Sequence, residues 1–192
     1  EFFELRDSSN RMKVLTKDLY HKVSLMRLKL IDRSLVIKNA IDFRVKQVDA
    51  ELLSYLYNDG ELIKDKTSDE DFYSFFTTIK EKLDEFLNIL SEKNTRGLIY
   101  VVDKSILPSL NSKENARFFL DFLVEVFQDI ISVKHGNSPY LKSYDTILKQ
   151  LASNTSNPEE KLLQILKHRS MINLNVNCSL LIDHLVNEIV KE

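Results

Sequence analysis

The chain has 192 residues, of which 43% are hydrophobic and 29% charged, and its formal net charge is −2. This composition is ordinary for a soluble globular protein of one or two domains with a sizeable core. Only three glycines and three prolines are present, which disfavours a turn-rich β-sandwich and favours a mostly helical fold. A single cysteine excludes an internal disulfide framework and a cysteine-cluster zinc site, and it suggests a cytoplasmic protein.

Charge is unevenly distributed along the chain. Residues 1–48 hold 11 lysines and arginines against 6 acids, a net of +5, whereas residues 49–90 hold 4 against 11, a net of −7. The basic residues are interleaved with apolar ones, which favours a solvated surface over a nucleic-acid patch. No apolar run approaches the roughly 20 residues that a membrane-spanning helix needs. The first residue, Glu1, suggests a fragment or a trimmed sequence.

The N-terminal part has no strong helical periodicity. Apolar residues alternate with polar ones at Met26, Leu28 and Leu30 and again over residues 41–45. Period-two alternation predicts short strands, although leucine and methionine also suit a helix.

Helical periodicity begins near Asp49, which we expect to cap a helix through Leu52, Leu53 and Leu56. The dipeptide Asp59-Gly60 should end that helix, and residues 61–70 should form a polar connection. Thr67 and Glu70 have the spacing of a capping box that opens the next helix.

Residues 72–192 are predicted to form about six helices joined by short loops, a helical bundle. The clearest helix has an apolar stripe from Phe72 to Leu90. Residues 98–107 suggest another helix, stopped by Pro108. A long helix opening at Ser112–Asn115 has a stripe wide enough to predict a central position with neighbours on several sides.

Three more helices are predicted toward the C-terminus. Ser138-Pro139 should open the first of them. The last two should pack through apolar faces, with the start of the first marked by Asn157 as the cap and by Pro158 in the first turn. An asparagine-rich turn over residues 173–177 should join this pair, because asparagine side chains compete for backbone hydrogen bonds.

No catalytic motif is present. The chain lacks the signatures of phosphate loops, dinucleotide folds, nucleophile elbows, zinc proteases and redox dithiols. His168 and His184 could approach each other on the last two helices, but no carboxylate at ligand spacing is evident, which favours ordinary histidines over ligands. Cys178 is better explained as a half-buried structural cysteine than as a nucleophile. We therefore predict a protein that is not an enzyme, with no metal or cofactor.

Two stretches nevertheless resemble a known family. The run NLNVNCSLLIDHLVNEI over residues 173–189 has an Asn-Val-Asn motif before a leucine-rich helix, and FFLDFLVEVFQDIISVKHG over 118–136 has aromatics, an aspartate and a Lys-x-Gly end. Both are similar to the C-terminal region of the delta-prime subunit of the bacterial DNA polymerase III clamp loader. A weaker match, over residues 43–60, resembles the last strand of an ATPase core and the first helix of its lid.

This resemblance implies a mainly α fold with a helical collar-like bundle over 67–192, and a part over 1–66 that is a possible remnant of the ATPase core and lid. The family's zinc module and arginine-finger motif have no counterpart here, which implies a truncated or divergent member. The implied role is a non-catalytic one. In this family, collar domains of five subunits pack into a ring, and the attached modules place the sliding clamp on primed DNA. The implied partners are other clamp-loader subunits, with indirect contact to clamp and DNA and none to a membrane. The candidate interface residues are Asn173, Asn175, Val176, Asn177 and Asp129.

Two alternatives remain from the residues alone. Leucine-rich amphipathic helices are common, and a fold does not fix a function, so a helical adaptor or scaffold that binds a peptide or helix is the main alternative. An enzyme would need a polar pocket formed across several helices, which no local motif indicates.

Overall fold

All regular elements that the structure describes are helical. The computed structural model describes residues 32–110, 112–174 and 176–190, and residues 32–192 group as one compact unit. The ten α-helices of this unit are α1 Arg33–Asp42, α2 Gln47–Leu53, α3 Gly60–Ser68, α4 Glu70–Ser91, α5 Thr95–Val101, α6 Leu107–Ser109, α7 Lys113–Lys134, α8 Asp145–Asn154, α9 Pro158–Met171 and α10 Cys178–Val190. A π-helical segment, Val102–Ile106, follows α5, and a 3-10 turn, Lys142–Tyr144, precedes α8. The prediction of a mainly α protein is confirmed.

The strand predicted over residues 41–45 is wrong. Ile41 and Asp42 are the last residues of α1, and Arg44 turns the chain with a φ of 69°. Val36 and Ala40, four residues apart, are the buried positions of this helix. The five-residue alternation was too short to outweigh that helical spacing. The other predicted alternation, at Met26 to Leu30, lies outside the described residues.

The region between Asp49 and Glu70 is more helical than predicted. Asp49 is not a cap, because α2 begins two residues earlier and buries it. Asp59 does not end a helix; its carboxylate accepts a hydrogen bond from the Glu61 N–H at 2.9 Å and so starts α3 across the predicted connection. Helix α3 was not predicted, because it buries only Gly60 and Ile63 and its other residues are mostly polar.

Helix α4 is confirmed, but its predicted capping box is not. Asp69 Oδ1 accepts from the N–H groups of Asp71 and Phe72 at 3.1 and 3.2 Å, whereas the Thr67 hydroxyl donates back to the Lys64 carbonyl within α3. Asp69 thus ends one helix and caps the next, a role that a short carboxylate side chain fills well.

The central position predicted for the long helix α7 is confirmed. Ser112 caps it by accepting from the Asn115 N–H at 3.0 Å, and α7 packs against α4, α8 and α9. Perpendicular phenylalanine pairs fill the space between α4 and α7, with ring centroids 5.9 Å apart for Phe76–Phe122 and 5.8 Å for Phe86–Phe119. Edge-to-face packing of this kind adds to the stabilisation from apolar burial.

The predicted helix at 98–107 is interrupted. Asn94 opens α5 by accepting from the Gly97 N–H at 2.9 Å, and the helix then widens into the π-helical segment. Pro108 does not stop a helix; it lies in the first turn of α6, where its missing N–H costs no hydrogen bond.

Helix α9 begins where predicted, whereas Ser138-Pro139 does not open a helix. Helix α8 starts at Asp145 after the 3-10 turn, and α9 starts at Pro158. Asn157 precedes α9 in a left-handed conformation, with a φ of 45°, and its side chain makes no capping hydrogen bond. None of the helices in the described ranges is long and apolar enough to cross a membrane.

Candidate interaction surface and buried charge

The predicted asparagine-rich turn joins α9 to α10 at the surface. Asn173 is exposed, and Val176 is half-buried against the core. Asn177 accepts a hydrogen bond from the Leu180 N–H at 3.1 Å and so caps α10. Asn175 lies outside the described residues. The asparagines in the described part of the turn therefore differ in role, since one is free to contact a partner and the other also serves the fold.

A shallow groove lies beside this turn. It runs between the first turns of α7 and the end of α9, and Lys113 crosses it to donate to the Leu174 carbonyl at 3.2 Å. The groove is lined by Lys113, Glu114, Arg117, Ile172 and Asn173. This surface mixes cationic, acidic and apolar groups, as the rims of protein–protein interfaces do.

Four leucines between residues 163 and 180, close to this turn in sequence, are exposed by 40–68%. Exposed apolar side chains also occur at α1, where Leu35, Ile41 and Phe43 are 49%, 41% and 43% exposed. Single exposed leucines need no explanation, but two of the four flank the turn beside Asn173. The four are Leu163, Leu166, Leu174 and Leu180.

Asp129 is an interior residue. Its side chain is 2% exposed, and its two oxygens accept from the N–H groups of Tyr140 and Leu141 at 3.1 and 2.8 Å. Burial raises the pKa of the Asp129 carboxyl, although the two amide bonds and the nearby Arg33 oppose the shift. Asp129 thus anchors the loop after α7 from inside the fold, and it is not part of the exposed surface that a partner would contact.

Asp129 is one of three buried acids that follow each other at four-residue intervals along α7. Asp121, Glu125 and Asp129 are 4%, 1% and 2% exposed. Arg169 of α9 pairs with Asp121, and Arg33 of α1 pairs with Glu125. This row of buried acids was not predicted, although their four-residue spacing on the helix with the wide apolar stripe was a signal for it.

The two terminal-helix histidines do come together. His168 Nε2 lies 3.1 Å from His184 Nδ1, and each nitrogen lies 3.8 Å from a carboxylate oxygen of Glu188. The expectation that no carboxylate lies at ligand spacing is wrong, because Glu188 follows His184 by four residues. His184 and Glu188 are four residues apart, which places them on one face of α10. These three residues are the candidate metal ligands in the described part of the chain.

No catalytic constellation is evident among the described residues. A cleft of about 160 Å³ lies where the end of α4, the start of α5 and the end of α10 meet, and both aliphatic and polar side chains line it. Cys178 is half-buried and packs against the core, as predicted for a structural cysteine.

Comparison with known proteins gives one relative of interest. No family model matches the chain, and no solved structure matches it. The chain is 25% identical over 142 residues to the delta-prime subunit of DNA polymerase III from Bacillus subtilis, a match that covers 71% of this chain. The match spans 41% of the length of that relative. The chain is therefore distantly similar to part of a delta-prime subunit.

Proposed function

We propose that this chain is a clamp-loader-related subunit that assembles with other subunits through its helices and catalyses no reaction itself. The observation that carries the proposal is the similarity to the Bacillus subtilis delta-prime subunit over 71% of the chain. The mainly helical fold agrees with the collar-like bundle that the sequence motifs imply. As part of the proposal, residues 67–192 form that bundle, residues 1–66 derive from the ATPase core and lid, and the protein is cytoplasmic.

The surface around the α9–α10 turn is the proposed contact with a neighbouring subunit. Leu174 and Leu180 are 58% and 68% exposed on either side of the turn, close in sequence to Asn173 and Val176. Apolar side chains would be buried on assembly, and removal of their exposed surface from water favours association. Lys113 and Arg117 would form part of the polar rim. Contact with the sliding clamp and with primed DNA would be indirect, through the assembled partners.

The test is co-purification of the full chain with the other clamp-loader subunits of its host, followed by size-exclusion chromatography. We expect a stable complex of defined stoichiometry. Leu174→Asp and Leu180→Asp should weaken it by placing a charge in the apolar contact. The matched control is Leu35→Asp, at a 49% exposed leucine on α1, which should leave the complex intact.

Two results would count against the proposal. A well-folded wild-type chain that does not associate with these subunits would favour the helical adaptor, and its partner would then be sought by an unbiased pull-down. A complex that all three variants leave equally intact would keep the clamp-loader role but move the contact away from the α9–α10 turn.

A further inference from the structure

We propose that His168, His184 and Glu188 form a binding site for a divalent transition-metal ion of the zinc class, and that the ion joins α9 to α10. The site is independent of the proposed assembly role. It brings together His168 of α9 with His184 and Glu188 of α10. The two α10 residues follow His168 in the sequence by 16 and 20 residues.

The spacing of the three donor groups fits a common metal geometry. Zinc binds histidine nitrogen and carboxylate oxygen at about 2.0–2.2 Å in a tetrahedron, so neighbouring ligand atoms should lie about 3.3–3.6 Å apart. The donor separations are 3.1 Å between the two imidazole nitrogens, 3.8 Å from His168 Nε2 to Glu188 Oε2 and 3.8 Å from His184 Nδ1 to Glu188 Oε1. One donor atom from each of the three residues lies within 4.8 Å of the other two. The separation expected between neighbouring ligand atoms lies between these measured distances, and small side-chain rotations would bring the donor atoms to it.

The fold already orients the inner histidine. His168 is 2% exposed, and its Nδ1 lies 2.8 Å from the Gln164 carbonyl oxygen, which can only accept a hydrogen bond. Nδ1 must therefore carry the proton, and the lone pair of Nε2 points toward His184 and Glu188. A metal-binding histidine usually donates its other N–H to a carbonyl or carboxylate in this way.

The carboxylate supplies a second, independent indication. Glu188 Oε2 is shielded from solvent and has no hydrogen-bond partner among the described residues. His168 Nε2 lies 3.8 Å from this oxygen, too far for a hydrogen bond. A buried carboxylate oxygen without a partner is costly, and a bound cation would remove that cost.

The donor set determines the class of metal. Two imidazoles and one carboxylate suit zinc, copper, nickel or cobalt, whereas magnesium and calcium prefer oxygen ligands alone. His184 is 66% exposed, so an ion could enter from solvent and keep one water as its fourth ligand. The competing explanation is a plain hydrogen bond from His184 Nδ1 to His168 Nε2, with no metal involved.

The test uses the full chain, stripped of metal with a chelator and titrated with zinc by isothermal calorimetry. We expect one zinc ion per chain and no measurable magnesium binding. His184→Ala should weaken zinc binding by at least about tenfold to a hundredfold, and Glu188→Gln should weaken it as well. The control is His135→Ala, at a histidine with the same 66% side-chain exposure as His184, which should bind zinc as the wild type does.

Thermal unfolding provides the second readout. Because an ion that binds only the folded state stabilises it, zinc should raise the melting temperature of the wild type and of the His135 variant, but much less that of the His184 variant. Both variants at the site should keep the helical circular dichroism of the wild type. Should His184→Ala fail to fold, Glu188→Gln decides alone. A wild-type chain that binds no zinc, or variants that bind it unchanged, would overturn the proposal.

Discussion

The two ends of the described fold differ in which side chains they bury and which they expose to solvent. At the N-terminal end, polar groups are used inside the protein: Arg33 donates to the Ser54 hydroxyl at 2.8 Å and to the Glu51 carbonyl at 2.9 Å, and it pairs with Glu125. At the C-terminal end, Asn173 and four leucines face solvent between residues 163 and 180. The first set of polar groups is satisfied within the fold, whereas the second set of side chains is open to solvent.

This difference shows how short, weakly amphipathic helices are held in place. Glu51, on the seven-residue α2, is 1% exposed and accepts from the Gln47 side chain and from the Ser143 N–H, both at 2.8 Å. Asp49 on the same helix accepts from Lys80 at 2.6 Å and from the Tyr73 hydroxyl at 3.1 Å. Specific charged contacts thus add to a small apolar face, and a buried charge is tolerated because it is paired.

The sharpest test of the N-terminal arrangement is Arg33→Ala. It would leave the buried Glu125 carboxylate without its partner, and breaking such a pair costs about 3–5 kcal/mol. Urea unfolding followed by circular dichroism should show this loss. Lys149→Ala, which breaks the exposed Lys149–Asp145 pair, is the control and should cost less than about 1 kcal/mol. Equal losses of stability in the two variants would mean that the buried Arg33–Glu125 ion pair contributes no more than an exposed one.

Gly60→Ala tests the close approach of α3 to α1. A Cβ atom at this position would lie 2.6 Å from the Ala40 backbone nitrogen and 2.8 Å from the Asn39 Cβ, so the two helices would have to move apart. Overpacking of this kind costs about 1–3 kcal/mol. Glu61→Ala, one residue along the same helix, should change the free energy of unfolding by less than about 0.5 kcal/mol. A neutral Gly60→Ala would mean that α3 is held only loosely against α1.

At the C-terminal end, a pair of asparagine variants distinguishes the asparagine that caps α10 from the asparagine that is only exposed. Asn177→Ala removes the side chain that accepts from the Leu180 N–H, and loss of such a cap costs about 0.5–2 kcal/mol. Asn173→Ala, at an exposed position, should change stability by less than about 0.5 kcal/mol. Chemical denaturation measures both. A destabilising Asn173→Ala would show that this asparagine also serves the fold.

The smallest expected effect concerns pH. The Asp84 carboxylate accepts from the Tyr144 hydroxyl at 2.5 Å, and burial raises the pKa of Asp84 above its ordinary 3.8. The contribution of Asp84 to stability is therefore fully present below pH 3.8 and is lost as the pH rises through the raised value.

Asp84→Asn should remove this loss while keeping an oxygen that can accept from Tyr144. The free energy of unfolding of the variant should therefore improve relative to wild type between pH 4 and 7, as measured by urea unfolding at several pH values. Asp103→Asn, at an exposed position, controls for the substitution itself. If the difference in the free energy of unfolding between the Asp84 variant and the wild type stays constant with pH, a raised pKa at Asp84 is excluded.

Sequence patterns located the long helices well and the short ones poorly. Helices α4 and α7 each have 22 residues and a clear apolar stripe, and the signal at Ser112–Asn115 marked a helix start that the structure confirms. The three-residue α6 and the polar α3 carry too few buried positions for periodicity to show.

The candidate sites also differ in whether local sequence or tertiary packing forms them. The asparagine-rich turn was predicted at its observed place, because asparagine acts on the backbone only a few residues away. The cluster of His168, His184 and Glu188 was not predicted, because it depends on how α9 packs against α10. The approach of His168 to His184 was foreseen from their places on the last two helices, whereas the four-residue spacing of His184 and Glu188 was overlooked.

By itself, the sequence determined the helical class, the long helices and the turn between the last two, because periodicity and capping are local and act within one or two turns of chain. Only the tertiary structure decided which charges are buried and which face solvent. The Ser143 N–H and Glu51 are 92 residues apart in sequence yet share a hydrogen bond, and Arg33 meets Glu125 across a similar distance. Such pairs form only when packing brings remote helices together, because a buried charge is stable only beside its partner.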